Sequence, residues 1–412
     1  MSNSWIKTKI GDLTTLRKEK FDPKTKDVEK YIGLEHIEQG TGRLNGYGYS
    51  SETTSMKSVF EKEDILFGKL RPYLRKYWYA QFKGVCATEI LPLIANQNVD
   101  KRFLFYLLQQ DKFIDFLDQK SFGTKMPRTS WNEIKEYECS VPSLLVEQQK
   151  IASILSSVDE AIEKTEAIME KTEKVKQGLM QQLLTKGIGH TKFKKEDIGE
   201  IPEEWEIRKI ADIGTFSNGV SKGAEFFGSG YLFVNVREIA SNEIELDKLN
   251  RVNLSEKELV INEVLYGDIL LIRSYGNPKK VGYPMLFNIK NVQERFTHSG
   301  FTMKLRPHQH LVDSNFLVYL LKSDKIRREV YKRGTFSANN NINQKEYGSI
   351  KIGLPSIKEQ RRIAETLDIF NRKIFNEKER LTQLQVIKKG LMQSLLTGKV
   401  RVNVDEAEVT QV

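Results

Sequence analysis

Two stretches of the sequence interleave cations with aromatic and polar side chains, a composition suited to contacts with nucleic acid. Each stretch follows the string Asp-Ile-Leu, at residues 64–66 and again at residues 268–270. The candidate residues are Lys69, Arg71, Tyr73, Arg75 and Lys76 in the first stretch, and Arg273, Ser274, Tyr275, Asn277, Lys279 and Lys280 in the second. Arginine and asparagine can hydrogen-bond guanine and adenine edges, lysine neutralises phosphate, and tyrosine contacts sugar or base. A solvated loop is the alternative for any single residue, but the same composition at two equivalent positions favours DNA contact.

A second pair of loops follows the string Gly-Thr, at residues 123–124 and 334–335. The candidates here are Lys125 and Arg128 in the first loop, and Asn339, Asn340 and Asn341 in the second. The first loop is basic, whereas the second is rich in amides. We therefore expect the two halves of the chain to read different base sequences.

Sequence patterns that would indicate catalysis are absent. The chain has no Gly-x-x-x-x-Gly-Lys-Ser/Thr phosphate loop, and no Asn/Asp-Pro-Pro-aromatic string of the kind an adenine methyltransferase needs. His308 and His310 have no acidic or thiol residue beside them, so we do not expect a metal site. Two cysteines, Cys86 and Cys139, are too few for a zinc site or a disulfide framework. We predict that this chain holds no catalytic residues, no metal and no cofactor.

The elements that must position these loops include a long repeated segment, which occupies residues 147–185 and returns without a gap at residues 359–397. The copies open EQQKIA and EQRRIA, and they close GLMQQLLT and GLMQSLLT. From Ile151 and from Ile363, mostly apolar residues recur at alternating steps of four and three, as in a coiled-coil seam. Each copy should form a helix about 58 Å long. An amphipathic helix of this length must cover its apolar face, and the simplest partner is the other copy, packed antiparallel.

Polar residues interrupt this seam at shared positions, because Thr165 corresponds to Glu377 and Lys176 corresponds to Lys388. Isolated polar residues in a seam can fix the register of a coiled coil. The alternative is that these side chains face a partner subunit.

The segments that precede the two helices also resemble one another, though more weakly. Trp5 corresponds to Trp205, and the string Phe-Leu-x-Tyr-Leu-Leu occurs at residues 103–108 and 316–321. These two strings should be helical, while short strands are expected at residues 65–67, 90–94, 232–236, 269–272 and 301–305.

The predicted fold is α+β, with two mixed α/β domains, two long helices forming an antiparallel coiled coil, and an internal pseudo-twofold repeat. The predicted boundaries are domain 1 at 1–143, helix 1 at 144–187, a linker at 188–203, domain 2 at 204–355, helix 2 at 356–399, and a tail at 400–412.

Composition agrees with a nucleic-acid partner. The 412 residues carry a formal net charge of +10 and give a pI of about 9.2, which favours a polyanion. No apolar run approaches the roughly 18 residues that a membrane span needs, and the first residues lack the apolar region of a signal peptide. We therefore expect a cytoplasmic protein without a membrane partner.

The order of domain, EQxxIA helix ending GLMQxLLT, domain and second such helix resembles the specificity (S) subunit of type I restriction-modification systems. The string Lys-Leu-Arg-Pro-Tyr-Leu at residues 69–74 is also typical of that family, and the resemblance covers essentially the whole chain. It implies sequence-specific DNA binding by two target-recognition domains, each reading one half of a bipartite site. The helices would fix the gap between the half-sites and dock two modification (methyltransferase) subunits.

The resemblance also implies which components of such a complex perform chemistry. The modification subunits would bind S-adenosylmethionine and methylate adenine, and two restriction subunits would use ATP and Mg²⁺ for translocation and endonuclease cleavage. This chain would be a non-catalytic subunit that the complex requires. The alternative functions are a stand-alone DNA methyltransferase or nuclease, and a coiled-coil scaffold that does not bind DNA.

Near their C-terminal ends the two repeated helices carry apolar residues on more than the seam. The candidates for partner binding are Leu179, Met180, Leu183, Leu184, Leu391, Met392, Leu395 and Leu396. They could face the modification subunits or pack on the protein's own domains, and the sequence leaves both alternatives open.

Overall fold

A computed structural model describes residues 5–24, 27–123, 125–290, 293–335 and 340–404. The chain forms two compact units. Unit 1 comprises Met1–Ala167 and Lys378–Val412, and unit 2 comprises Ile168–Glu377. Each unit therefore combines one mixed α/β domain with parts of both long helices.

The domain of unit 1 is built from eleven strands in its described part. They are β1 Trp5–Lys9, β2 Thr14–Leu16, β3 Lys20–Phe21, β4 Lys30–Ile32, β5 Gly48–Tyr49, β6 Lys57–Phe60, β7 Ile65–Gly68, β8 Tyr77–Tyr79, β9 Gly84–Cys86, β10 Ile90–Ala95 and β11 Glu138–Pro142. The helices are α1 Ile10–Leu13, α2 Lys101–Leu107, α3 Asp111–Lys120, α4 Trp131–Lys135 and the long α5 Leu145–Lys186, which continues into unit 2.

The strands of unit 1 form three sheets. Their orders are β1-β11, β2-β10-β7-β8 and β3-β6-β9-β4-β5. All four residues of β7 are buried, as expected for a short apolar run inside a sheet. Phe103 and Tyr106 of α2 lie in the same core as Ile151 of α5. The domain and the start of the long helix therefore share one hydrophobic core.

The described part of unit 2 contains eleven further strands. They are β12 Phe193–Glu196, β13 Gly199–Pro202, β14 Glu206–Lys209, β15 Gly214–Asn218, β16 Phe227–Val234, β17 Asn250–Val252, β18 Ile269–Ile272, β19 Pro284–Leu286, β20 Phe296–His298, β21 Thr302–Pro307 and β22 Lys351–Leu354. Its helices are α6 Val236–Ser241, α7 Glu256–Asn262, α8 Ser314–Lys322, α9 Asp324–Arg333, α10 Gln344–Gly348 and the long α11 Ile357–Leu395, which continues into unit 1.

Two sheets of unit 2 repeat sheets of unit 1. The order β15-β21-β18-β19 matches β2-β10-β7-β8, and the pair β14-β22 matches β1-β11. The corresponding helices begin alike, since the Asp100 side chain accepts from the Phe103 amide at 2.8 Å and Asp313 accepts from Phe316 at 3.0 Å. The predicted internal repeat is therefore confirmed in topology and in capping.

Both predicted long helices are present, and their seam faces inward. Every seam position, from Ile151 to Leu183 and from Ile363 to Leu395, is buried or half-buried. In unit 1 Lys388 Nζ lies 2.7 Å from Asp159 Oδ1, and Arg401, beyond the end of α11, bonds Glu147 at the start of α5. Glu147 contacts Arg401, whereas Asp159, further along α5, contacts Lys388, which comes earlier in the chain than Arg401. The two helices therefore run antiparallel.

The predicted linker at 188–203 is more ordered than its glycines and lysines indicated. Strands β12 and β13 form a hairpin there, and Ile201, 1% exposed, packs into the core of unit 2 beside Trp205. Ile201 fixes this segment to the core of unit 2, and the overall polar composition of the segment did not indicate that contact. In the predicted tail, Arg401 contacts Glu147, whereas residues 405–412 lie outside the described part. Within the described ranges, no helix has both the length and the apolar content that crossing a bilayer requires.

Candidate nucleic-acid interface

In unit 1 the two candidate loops lie side by side beyond the end of β7. The Arg71 amide donates to the Pro127 carbonyl at 2.7 Å, and the Thr129 amide donates to the Lys69 carbonyl at 2.9 Å. Two stretches far apart in the sequence therefore form one continuous surface. We call this surface two-loop site 1, and it comprises residues 69–76 and 125–130.

Unit 2 brings its candidate loops together in the same way. The Tyr275 amide donates to the Asn340 carbonyl at 3.3 Å, and the Ile342 amide donates to the Arg273 carbonyl at 3.0 Å. We call this surface two-loop site 2, and it comprises residues 273–280 and 340–342.

The repeated backbone pairing places the residues of the two sites in register. The corresponding pairs are Lys69 and Arg273, Arg71 and Tyr275, Pro127 and Asn340, and Thr129 and Ile342. Isolated bridges extend the register, because Arg128 pairs with Leu70 where Asn341 pairs with Ser274. The two sites share a scaffold and differ in the side chains that the scaffold presents.

Three cations of two-loop site 1 have no ion-pair partner within the described residues. Lys69 and Arg71 are half-buried and Lys125 is exposed, while the neighbouring Tyr73 is 46% exposed. The Arg71 guanidinium donates through Nη2 to the Lys125 carbonyl at 3.4 Å, and its Nε is buried with no partner in the described part. This site offers positive charge and an aromatic ring to a ligand.

Arg71 and Arg75 adopt a backbone conformation that is unusual for arginine. Their φ angles of 52° and 51° are left-handed, and they flank the 3₁₀ turn Pro72–Leu74. This conformation costs about 1–2 kcal/mol per residue for an L-amino acid other than glycine. Such backbone strain is concentrated at functional sites, which supports a role for this turn.

Other candidates of site 1 are engaged inside the unit. Arg75 pairs with Asp111 at 2.6 Å. Lys76 Nζ donates to the Leu34 carbonyl at 2.5 Å and to the Ile37 carbonyl at 3.0 Å. These contacts make Arg75 and Lys76 weaker candidates, because their charged groups already have partners.

Two-loop site 2 carries fewer cations and more polar groups. Arg273 is half-buried and has no side-chain partner in the described ranges, Tyr275 is 39% exposed, and Lys279 is exposed. The Asn341 Oδ1 is buried with no hydrogen-bond partner among the described residues. Arg273, Tyr275 and Lys279 remain open to a ligand.

The remaining candidates of site 2 hold the loops together. Ser274 Oγ donates to the Asn340 carbonyl at 3.1 Å, and Asn340 Nδ2 donates to the Gly276 carbonyl at 3.0 Å. Asn277 Oδ1 accepts from the Lys279 amide at 3.0 Å. Lys280 Nζ donates to the Ala240 carbonyl at 3.1 Å. Asn339 lies outside the described residues.

The aspartate that opens each Asp-Ile-Leu string anchors the strand leading to the site. Asp64 accepts two hydrogen bonds from Arg17, at 2.6 and 3.0 Å, and Asp268 accepts two from Arg306, both at 2.8 Å. Paired planar contacts of this kind fix geometry as well as charge. The sequence identified these aspartates as landmarks of the repeat but did not reveal their arginine partners.

The Glu of each EQ string joins a domain to a long helix. Trp5 Nε1 donates to Glu147 at 3.2 Å, and Trp205 Nε1 donates to Glu359 at 3.3 Å. Each carboxylate has a second partner, which is Arg401 at 2.7 Å in unit 1 and His190 at 2.9 Å in unit 2. The signal was available in the sequence, since both the tryptophan and the EQ string recur.

The Gln of each EQ string makes an equivalent junction. Gln148 accepts from the Asp100 amide at 2.9 Å and donates to the Pro142 carbonyl at 3.0 Å. Gln360 accepts from the Asp313 amide at 2.9 Å and donates to the Pro355 carbonyl at 2.8 Å. Each two-loop site is thereby carried by a domain that is fixed to a helix through buried polar contacts.

A tyrosine from each Phe-Leu-x-Tyr helix adds a further contact to the long helix. Tyr106 donates to Asp159 at 2.7 Å, and Tyr319 bonds both Asp368 and Asn371. Burial is the main cause that raises the pKa of both phenols, so they stay protonated donors. Asp159 also forms an ion pair with Lys388, the polar seam residue that corresponds to Lys176. This ion pair helps to set the register of the two long helices in unit 1.

The described residues contain no group of three or more His, Cys, Asp or Glu placed to hold a metal ion. His308 and His310 stack with ring centroids 5.9 Å apart. Burial raises the pKa of Cys86 and of Cys139 to about 12, so neither is a thiolate at neutral pH.

Four of the candidate partner-binding residues are buried in the cores of their own units. Leu183 and Leu184 belong to the core of unit 2, while Leu395 and Leu396 belong to the core of unit 1. Leu179, Met180, Leu391 and Met392 are partly buried against the same cores. Packing on the protein's own domains therefore describes these eight residues better than an open docking surface, because the domains already cover their apolar side chains.

Comparison with known proteins places this fold in a family. The family model described as type I restriction modification DNA specificity domain matches residues 3–174 and 202–386. The chain is 27% identical to the type I restriction enzyme MjaVIII specificity subunit of Methanocaldococcus jannaschii over 97% of this chain and 93% of that protein. It is 29% identical to the putative MjaX specificity subunit of the same organism over 76% of this chain and 71% of that protein.

Two solved structures share the fold. One, from work on complex assembly and conformational transition of the type I R-M system, has a TM-score of 0.61 at 18% identity and covers 97% of this chain and 99% of its own. The S subunit of the type I restriction-modification system from M. genitalium has a TM-score of 0.58 at 16% identity, covering 98% of each chain. With two matched DNA specificity domains and the predicted helices in place, this chain belongs to the family of type I restriction-modification specificity subunits.

Proposed function

We propose that this chain reads a bipartite DNA sequence, with two-loop site 1 contacting one half-site and two-loop site 2 contacting the other. The observation that carries the proposal is the shared backbone pairing of the two sites. Lys69 and Arg273 occupy one position of that scaffold, whereas two residues further along the chain Arg71 is replaced by Tyr275. A common scaffold with different side chains suits a protein that recognises two different short sequences in the same manner.

The long helices fix the spacing between the two half-sites in this proposal. Support comes from the junctions at Glu147 and Glu359, whose side chains are 0% and 13% exposed. These junctions attach each domain firmly to a helix rather than leaving it on a flexible tether. A rigid attachment is what a fixed gap requires.

The modification subunits dock on the long helices. Five large apolar side chains on these helices are at least half exposed, and the domains of this chain leave them uncovered. They are Val175, Ile369 and Phe375 in unit 2, and Val386 and Ile387 in unit 1. Because the domains leave these side chains uncovered, they are available for contact with the modification subunits.

The chemistry belongs to the partner subunits. Two modification subunits bind S-adenosylmethionine and methylate adenine, and two restriction subunits use ATP and Mg²⁺. This chain contributes DNA recognition and no catalytic residue. Methylation by the purified chain with S-adenosylmethionine alone, or cleavage with Mg²⁺ alone, would favour a stand-alone enzyme instead.

A domain exchange tests the proposal. Residues 204–355 are replaced by the equivalent domain of a relative, and the adenines methylated in a host carrying the modification subunits are mapped. We expect one half-site to change while the other half-site and the gap stay the same. A change in both half-sites would contradict the assignment of one reader to each domain.

A further inference from the structure

One backbone position beside the two-loop sites carries a charged residue in unit 1 and an aromatic residue in unit 2. The Lys69 amide donates to the Glu89 carbonyl at 2.9 Å, and the Arg273 amide donates to the Phe301 carbonyl at 2.9 Å. Glu89 and Phe301 therefore occupy equivalent places, each close to the start of the strand that pairs with the Asp-Ile-Leu strand.

In unit 1 this position completes an ion pair. Glu89 Oε2 lies 3.3 Å from Arg128 Nε, within the second loop of two-loop site 1. In unit 2 the residue equivalent to Arg128 is Asn341, so neither member of the ion pair is retained. The scaffold is the same, but the charged pair is replaced by a phenyl ring and an amide.

The Phe301 ring is unusually open for its size. It is 63% exposed, although burying a phenylalanine side chain stabilises a protein. A single exposed apolar residue is ordinary on a protein surface. Phe301 is distinguished by its position, because its carbonyl accepts hydrogen bonds from the backbone amides of Arg273 and Ser274 in two-loop site 2.

The backbone that carries the ring is held in place. The Phe301 carbonyl accepts from the Ser274 amide at 3.1 Å, and the Phe301 amide donates to Ser299 Oγ at 3.3 Å. The ring therefore projects from a fixed point, which is the property expected of a recognition residue rather than of a mobile loop.

A phenyl ring has no group that hydrogen-bonds to a base edge. In the major groove the feature it can recognise is the C5 methyl group of thymine. We propose that Phe301 is a specificity-determining residue of unit 2, and that it contacts a thymine methyl group in the half-site that two-loop site 2 reads. The inference rests on the proposed function, and Glu89 predicts no such methyl contact at the equivalent position in unit 1.

The test removes the methyl group from the DNA and the ring from the protein. The full chain is assembled with its modification subunits, and binding is measured to duplexes in which each thymine of the half-site is replaced singly by deoxyuridine. For the unsubstituted chain, one replacement should weaken binding about fourfold, since a buried methyl group is worth about 0.8 kcal/mol. With Phe301→Ala that position should no longer distinguish thymine from uracil.

Two variants serve as controls. Phe301→Leu keeps an apolar group and should retain part of the discrimination. Glu89→Ala changes the equivalent position in unit 1 and should leave every thymine-to-uracil difference in the unit 2 half-site unchanged. Because Phe301 is largely exposed, thermal unfolding of Phe301→Ala should match that of the unsubstituted chain.

Three results would overturn the inference: a half-site without thymine, equal binding to thymine and uracil at every position, or a loss with Phe301→Ala that is the same for all sequences. The last result would indicate insertion of the ring between base pairs instead. In each case sequence-specific binding would persist and the proposed function would stand. Absence of any sequence-specific, salt-dependent binding would contradict the proposed function itself.

Discussion

The indole nitrogen of Trp5 donates a hydrogen bond to Glu147 at 3.2 Å, which joins the first strand of unit 1 to the first turn of a long helix. The Glu147 side chain is fully buried, and Arg401 supplies it with a second, bidentate partner at 2.7 and 2.9 Å. The same indole-to-carboxylate bond recurs between Trp205 and Glu359. These junctions fix the orientation of each two-loop site relative to the helix that carries it.

Replacing Glu147 by alanine should destabilise unit 1 by about 2 kcal/mol, because it removes charge-assisted hydrogen bonds from a buried site. Hydrogen exchange at the amides of β1 and of the first turns of α5 measures the loss. The control is Glu160→Ala on the exposed face of α5, where the ion pair with Lys164 is 3.8 Å long and should contribute less than about 0.5 kcal/mol. Equal protection in the two variants would show that the junction does not hold the domain to the helix.

Replacing Arg71 by alanine should weaken DNA binding by about 1–3 kcal/mol if the guanidinium reads a base. The loss should then be confined to one position of one half-site, measured by competition with duplexes substituted at each base pair. A loss that is uniform across sequences would assign Arg71 to phosphate. Lys9→Ala is the control, because this surface lysine is paired with Glu136 and lies outside the two-loop sites.

Replacing Arg273 by alanine should affect the other half-site. Arg71 lies in two-loop site 1 and Arg273 lies in two-loop site 2, so the losses caused by Arg71→Ala and Arg273→Ala should fall in different halves of the recognition sequence. Binding competition with half-site variants distinguishes them. If Arg71→Ala and Arg273→Ala both weakened recognition of the same half-site, the two sites could not be separate readers.

The stability of unit 2 should fall in mild acid because of His298. Burial lowers the pKa of this histidine to about 3, and Lys304 adds to the shift. Below the ordinary histidine pKa of 6.5 the unfolded chain takes up a proton that the folded chain excludes, so stability is lost as pH falls from about 6.5 towards 3. The slope reaches at most about 1.4 kcal/mol per pH unit.

Denaturant unfolding of His298→Asn at several pH values measures this contribution. The free-energy difference between the variant and the unsubstituted chain should shrink between pH 7.5 and pH 4.5, because only the unsubstituted chain has the titrating ring. A difference that is constant with pH would show that His298 titrates alike in the folded and unfolded chains.

Lengthening both long helices by one heptad should widen the gap between half-sites by about three base pairs, since seven helical residues add about 10.5 Å. The half-sites themselves should not change. The control adds seven residues to the exposed loop at 54–56, which lies outside both long helices and both two-loop sites and should leave the gap as it was. An unaltered gap after helix lengthening would contradict the role of the helices in spacing.

The long helices and the domain repeat could be predicted because their signals are local. The EQxxIA and GLMQxLLT strings, the seam from Ile151, and the Asp-Ile-Leu strands each depend on neighbouring residues. The pairing of Lys69 with Thr129 could not be predicted, because it depends on backbone groups sixty residues apart. Composition likewise could not show that Lys69 is a better candidate for DNA contact than Lys76. Only the fold shows that Lys76 is hydrogen-bonded to carbonyl groups inside the unit.

We propose that this chain specifies a bipartite DNA sequence. The decisive measurement maps methylated adenines across the genome of a host with and without this gene, in the presence of the modification subunits. We predict that the gene adds one motif consisting of two short half-sites separated by a gap of fixed length and unspecified sequence. A single uninterrupted motif, a gap of variable length, or an unchanged methylation pattern would contradict the claim.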